Sequence, residues 1–220
     1  MTAPTSTPPA AAGRSRGRPP VPKERIVAAA LAIVDEQGAE ALSLRALAQR
    51  LDSSTATLYR HFAGRAELIH HVIDHALGEA PVDANALEGI GWEAACRAMA
   101  TWMFETLRRH PNVAPLLVDQ APAGPNAMAM RELALQVLLD AGFTPDVALR
   151  SYATLARFVL GFAIQLTSEE TEGGTLAAAT QAGDEAFPAT AAVASMSPVP
   201  LDEEFRFGLD LLLSGLASLR

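Results

Sequence analysis

Disulfides, membrane spans and an aromatic-rich core are missing from this chain. Its single cysteine, Cys96, cannot form an internal bridge; it follows Trp92 on a helical pattern and reads as a small core residue. No apolar run approaches the ~20 residues of a membrane-spanning helix, so no membrane partner is expected. The N-terminal stretch carries Pro, Ala, Thr and Arg but no hydrophobic signal core, which points to the cytoplasm. Aromatics make up 5% of residues while hydrophobics make up 50%, with Ala and Leu prominent. That balance favours an all-α protein, and 220 residues can bury a substantial core in one or two domains. Catalytic signatures are missing as well. There is no glycine-rich phosphate loop and no Ser-x-x-Lys, Cys96 has no visible base, and the carboxylates are scattered over polar faces. A helical enzyme therefore has no support, and no cofactor is expected. His71 and His75 lie at i, i+4, a spacing that can hold a metal, but no third ligand follows at useful spacing, so none is expected.

Charge is unevenly placed. The net charge of −8 argues at first against nucleic acid, but residues 1–65 hold nine Lys/Arg against five Asp/Glu, and residues 66–220 hold eight against twenty. A basic head on an acidic body is the split expected when one end meets phosphate. The bland alternative is a basic tail with no partner. It loses ground because Arg45, Arg50, Arg60 and Arg65 lie beyond the tail, within a patterned segment. Residues 1–20 are rich in Pro, Ala, Thr and Ser and are expected to form a disordered basic arm. Within it, Arg16-Gly17-Arg18-Pro19 resembles an AT-hook core, whose arginines suit a narrow minor groove. Nonspecific phosphate attraction is the competing reading of Arg16 and Arg18.

The segment from Leu42 to Phe62 organises the rest. Ser43 is placed to cap a helix carrying Leu44, Leu47, Ala48 and Leu51 on one face. Asp52-Ser53-Ser54 breaks that pattern, because short polar side chains compete for backbone hydrogen bonds. Ser54 can cap a second helix, in which Leu58 and Phe62 share a face and Thr55, Ala56, Thr57, Tyr59, Arg60 and His61 do not. Two short helices joined by a tight turn form either an ordinary helical hairpin or a helix-turn-helix that sets its second helix in a major groove. The exposed set suits the second job: hydroxyls and Tyr59 for phosphates, Thr and Ala for thymine methyls, Arg for guanine.

This segment resembles the DNA-binding domain of TetR-family transcriptional regulators. The matching pieces are Ile26 to Gly38, Leu44 to Leu51, Thr57-Leu58-Tyr59-Arg60-His61-Phe62, and Arg65 to Leu68 opening a fourth helix. The resemblance implies DNA-contact positions at Arg45, Thr55, Ala56, Thr57, Tyr59, His61 and Arg65, with Arg45 on guanine and Tyr59 and Arg65 on phosphates. Three positions depart from the family pattern. Asp52 and Ser53 stand where Gly and an apolar residue are usual, and Gly64 where Ser or Asn is usual. The negative charge of Asp52 motivates the rival reading, a helical interaction or ligand-binding module that does not bind DNA.

The chain thus divides into an arm (1–20), a head (21–68) and a helical effector-binding and dimerisation body (69–220). A fourth helix from about Arg65 toward Leu77 links head to body and carries His70, His71, Asp74 and His75, read as a solvated or interface face. Gly78 to Gly91 reads as a break. Helices are expected over Trp92–Arg109, Val113–Val118, Ala127–Leu139, Pro145–Leu166 and Asp202–Leu219, with a mobile loop over 168–200. The body resembles the tetracycline-repressor branch of the family through Gly91-Trp92-Glu93, Gly142-Phe143, Leu160-Gly161-Phe162 and Phe205-Arg206-Phe207-Gly208-Leu209-Asp210. That resemblance implies a homodimer built on the last two long helices, and a repressor released by a small effector from a palindromic operator. The magnesium–tetracycline ligands of that branch fall on Met99, Met103 and about Leu117 here, so that site is not expected. Met99, Met103, Phe104, Leu117, Met128, Met130, Phe158 and Phe162 are candidates to line an apolar, adaptable pocket, against the plain alternative that Met and Phe at helical spacing are core.

Overall fold

A computed structural model describes residues 21–167, 187–193, 196 and 198–220. The arm with Arg16 and Arg18, and most of the expected 168–200 loop, lie outside the described residues. The fold is all-α, with no strand among the described residues.

Helix α1 (Lys23–Gln37) starts after Pro22 and buries Ile26, Val27, Ala30, Leu31, Ile33 and Val34. Gly38 ends it with φ +85°, its N–H donating to Val34 O, and its ψ of 164° turns the chain extended rather than into a left-handed cap. Helix α2 (Leu44–Arg50) is capped by Ser43, whose Oγ accepts from Ala46 N at 3.1 Å. Helix α3 (Thr55–Leu58) is capped by Ser54, whose Oγ accepts from Thr57 N at 3.2 Å. It is half the expected length. Beyond Leu58 the chain runs on in turns, with Tyr59 N–H donating to Thr55 O and Phe62 N–H to Leu58 O. A four-residue helix has no stability of its own. It is held because Leu58 and Phe62 are fully buried under it. Asp52 takes φ +47° in the turn between α2 and α3, the left-handed conformation that glycine supplies in the family pattern. A short polar side chain reaches that conformation at lower cost than a β-branched one.

Helix α4 (Arg65–Gly78) crosses the expected head–body boundary without a break. Leu68, Ile69 and Val72 bury at its head end, Ile73, Ala76 and Leu77 further along, and it packs on both α1 and the body. A 3-10 turn (Ala84–Leu87) follows, inside the segment expected to be a plain break.

In the body, α5 (Trp92–Arg109) has the expected bounds. The single helix expected over Val113–Val118 is instead a 3-10 turn (Pro111–Val113) and α6 (Leu116–Asp119), because Pro115, at the cap of α6, has no N–H to continue the first. Helix α7 (Pro125–Asp140) ends before Gly142, at φ +92°. Thr144 then caps α8 (Pro145–Gln165), which α9 (Pro188–Val193) and α10 (Leu201–Ala217) follow. By length and composition α8 is apolar enough to cross a membrane, contrary to the expectation of no such run. Its Ala148, Leu155, Val159 and Ala163 face packs on α5, α7 and α10 instead, and Arg150 and Arg157 lie exposed.

Phe205 joins three of these helices. Its ring stacks on Phe104 at 4.2 Å and Phe158 at 5.5 Å, and meets the edge of Phe162 at 5.6 Å. Each such pair contributes about 0.5–1.5 kcal/mol beyond its buried area. The helices approach closely there, since a Cβ on Gly208 would strike the Phe158 ring.

Two ion pairs, Arg97–Asp210 and Arg108–Asp202, also tie α5 to α10. The Arg108 guanidinium, hydrogen-bonded to Asp202, holds that carboxyl below its ordinary 3.8. A depressed carboxyl stabilises the fold above its ordinary value, and this contribution fades as pH falls through the folded one. The pair is partly exposed, so its worth is at most about 1 kcal/mol. Asp202→Asn should therefore lower the urea midpoint slightly at about pH 7, with the difference from wild type narrowing as pH falls below about 4; an undiminished difference would assign the effect to packing.

Candidate nucleic-acid interface and ligand cavity

The head presents a short exposed helix. On α3 the side chains of Thr55 and Ala56 are exposed, as is Tyr59 just past its end, at 60%. Thr57 and His61 are half-buried, and the Thr57 hydroxyl lies 3.0 Å from that of Ser54. An exposed tyrosine costs apolar surface and is best used where a partner covers it. Arg45 on α2 and Arg60 are also exposed. Two other head cations are engaged. Arg50 grips Glu36 with two 2.6 Å hydrogen bonds, and Arg65 donates from Nε to Leu42 O at 2.8 Å and from Nη2 to Ala39 O at 2.9 Å. Arg65 thus fastens the start of α4 to the loop before α2, a structural role that the sequence reading did not assign. On α4, His71 sits against the Phe62 ring at 5.6 Å, and burial holds its pKa below the ordinary value. Among the described residues no His, Cys, Asp and Glu cluster could hold a metal.

The body holds a cavity of about 60 Å³ between α5, α7 and α8. Cys96, Met99, Ala100 and Met103 line it from α5, Met130, Ala134 and Leu138 from α7, and Tyr152, Leu155, Ala156 and Val159 from α8. Of the expected lining residues, Met99, Met103 and Met130 are there. Phe104, Phe158 and Phe162 are not, because they form the cluster around Phe205. Leu117 is buried elsewhere, and Met128 is 44% exposed. The residues that sequence reading missed are small or aliphatic ones opposite the methionines. Nothing distinguishes such residues from core until the helices are assembled.

Cavity and head are joined through α4. Asp74, placed by sequence on a solvated or interface face, is buried. Its Oδ1 accepts from Ala127 N at 3.0 Å and its Oδ2 from Asn126 Nδ2 at 3.1 Å. Gly124 at the N-cap of α7 has no side chain to offer, so a carboxylate from α4 caps the cavity helix in its place. A Cβ on Gly124 would collide with Asp74. A second joint is His110, at the end of α5. Its Nδ1 lies 3.0 Å from Asp35 of α1, and its Nε2 lies 2.9 Å from Glu79 at the end of α4.

A short exposed helix held out by its caps, on a helical body with an apolar cavity, defines a ligand-responsive helix-turn-helix regulator. Residues 26–72 match the bacterial regulatory proteins of the tetR family, and residues 85–220 match the tetracyclin repressor-like C-terminal domain. The chain belongs to the TetR family of DNA-binding transcriptional regulators. It is 31% identical to the HTH-type transcriptional repressor DrrR1 of Streptomyces coeruleorubidus, over 92% of this chain and 80% of that one. It superposes on ActR of Streptomyces coelicolor in complex with (S)-DNPA with a TM-score of 0.83 at 29% identity, covering 91% of this chain and 99% of that one. ActR in complex with actinorhodin gives 0.80 at 29% identity, with 90% and 98% covered.

The cap and the cavity make separate forecasts. Asp74→Ala strands the buried Ala127 N–H and should cost about 1–3 kcal/mol in urea unfolding; a loss near zero would show that water replaces the cap. Burial pushes the Cys96 thiol up to about 11. It should react with a maleimide at neutral pH far more slowly than a free thiol, and denaturant should restore the rate. Rapid native labelling would mean that the cavity stands open.

Proposed function

We propose that the chain is a homodimeric repressor, not an enzyme, which acts in the cytoplasm and leaves a palindromic operator when a small, largely apolar effector enters the cavity between α5, α7 and α8. One observation carries this reading: α4 follows the exposed recognition segment and, through Asp74, caps α7 of the cavity wall, so a change at one end has a route to the other. Thr55, Ala56, Tyr59, Arg60 and Arg45 supply the surface that meets DNA, with Arg45 reading guanine and Tyr59 on phosphate. Ser54, Thr57 and His61 border it. Arg65 keeps one spare guanidinium nitrogen for phosphate while two others hold the loop.

The outer faces of α8 and α10 support the dimer. Leu149, Phe207, Leu211 and Leu219 are each more than half exposed, and a groove of about 480 Å³ runs between the two helices. Apolar surface on this scale is costly to leave in water. A second copy packing its own α8 and α10 there would cover it, placing two recognition segments about 34–36 Å apart in successive major grooves. ActR, solved with (S)-DNPA and with actinorhodin, supports an effector of comparable kind for this chain. The methionines supply the flexibility for a cavity this small to admit a larger ligand.

Selection of random-sequence duplexes by the purified protein tests the DNA reading, with the Arg45→Ala, Tyr59→Ala double variant as control. The expected outcome is a palindrome enriched by wild type and lost, by tenfold or more in affinity, in the variant. No enrichment, or the same sequences from both proteins, would overturn it, and a monomeric mass in native mass spectrometry would overturn the dimer.

A further inference from the structure

Sulfur is concentrated at the cavity. The chain holds six methionines and one cysteine, and four of these seven residues, Cys96, Met99, Met103 and Met130, line the space between α5, α7 and α8. Cys96, Met99 and Met103 follow at i, i+3 and i+7, one face of α5, and Met130 lines the same space from α7. A long side chain on a helix leans toward its N-terminus, so Met99 and Met103 lean toward Cys96. Cys96 is a free thiol, 3% exposed, and among the described residues no group hydrogen-bonds it. The remaining lining side chains are hydrocarbon apart from Tyr152, whose hydroxyl accepts from Arg131 Nε at 3.4 Å.

That donor set selects its ligand. An anion finds no charged lining group to pair with. Calcium and magnesium ask for several oxygens, and one phenol does not supply them. A divalent ion on one thiolate leaves net charge in apolar surroundings, which is costly. Thiolate and thioether together suit a soft monovalent ion, Cu(I). As it binds, the Cys96 S–H bond breaks, the proton leaves to solvent and an S–Cu bond forms. The product is neutral, and thioethers complete the coordination without adding charge. A cavity of about 60 Å³ is small beside the ~300–1,000 Å³ of ordinary ligand pockets, but a single ion needs little room.

We propose that the cavity is a Cu(I) site, with the Cys96 thiolate and the thioethers of Met99, Met103 and Met130 as its ligands. Among the described residues His, Cys, Asp and Glu alone form no metal cluster, and it is the thioethers that complete one. The site stands apart from the apolar-effector reading, because the four sulfur residues line the cavity in its closed form. A bound ion joins α5 to α7, where an effector has to part them, so the two ligands are antagonists.

The test is competition for Cu(I) between the reduced full chain and the coloured chelator bathocuproine disulfonate, without oxygen. Wild type should withhold one Cu(I) per chain, and that equivalent should raise the thermal melt. Met99→Leu, Met103→Leu and Met130→Leu keep side-chain volume and should each weaken binding by about tenfold. Cys96→Ala should abolish it. Met128→Leu removes a thioether outside the cavity and should bind as wild type does. Unchanged melts of the metal-free variants confirm that they fold. No Cu(I) withheld by wild type would overturn the site. So would wild-type affinity in the triple Met99→Leu, Met103→Leu, Met130→Leu variant, which keeps the thiol and would reduce the finding to adventitious binding by a cysteine. Either failure leaves the effector reading standing, since that reading is tested by release from DNA.

Discussion

The buried carboxylate of Asp74 is the joint on which the two halves depend. It sits on α4, the helix that follows the recognition segment, and it caps α7, one of the helices that line the cavity. A helix start leaves four backbone N–H groups without partners, and one of them here is answered by a neighbouring helix instead of by its own cap. That arrangement needs close approach, which is why residues 124 and 78 are glycines: a Cβ at Gly124 would strike Asp74, and one at Gly78 would strike Asn126. The same helix pair cannot then slide freely. Displacing α7 along or away from α4 breaks the contacts of Asp74 at once, so α7 and α4 move together or separate at a definite cost.

The second joint works on the other side of α4. His110 holds the end of α5 against α1 and the end of α4. The cavity helices α5 and α7 are thus each fastened to α4, one near Glu79 and one at Asp74, and α5 is fastened to the head directly through Asp35. Helix α8, the third wall, has no such bond to α4. It is tied to α5 and α10 by the phenylalanine cluster instead. The structure therefore divides the cavity walls into two that are fastened to the head and to α4, and one, α8, that is tied to α5 and α10.

Much of the head was legible in the sequence because its determinants are local. Ser43 and Ser54 announce themselves as caps by standing just before an apolar stripe, and both act as such. Leu58 and Phe62 share a face by spacing alone and are buried together. The bounds of α5 followed from periodicity and from Pro111. What the sequence hid was long-range. Asp74 and His110 look like ordinary surface polars, since nothing local says that residues 53 and 31 positions away complete them. The cavity residues were misjudged for a related reason. Phe104, Phe158 and Phe162 are as apolar as Met99 and Met103, and only the position of Phe205 decides that the rings pack on one another while the methionines face the gap. Asp52 was a departure in the sequence and is a solution in the structure, since a short polar side chain holds the left-handed turn where the family pattern has glycine.

The size of the cavity sets how the halves communicate. About 60 Å³ is small beside the ~300–1,000 Å³ of ordinary ligand pockets. Met99, Met103 and Met130 can yield some of the difference by changing rotamers without moving the backbone. The remainder has to come from separation of α5, α7 and α8. A ligand that bound an expanded body more tightly than the closed one would deliver to the head at most the difference between those two affinities. Because α5 and α7 are fastened to α4, such an expansion would displace α4, and with it the recognition segment, whose Phe62 packs against His71 of α4. A loose joint at Asp74 would let the cavity open while α4 stayed still, and ligand binding would then leave operator affinity unchanged. The tightness of one buried cap is in this way a condition for regulation and not only for stability.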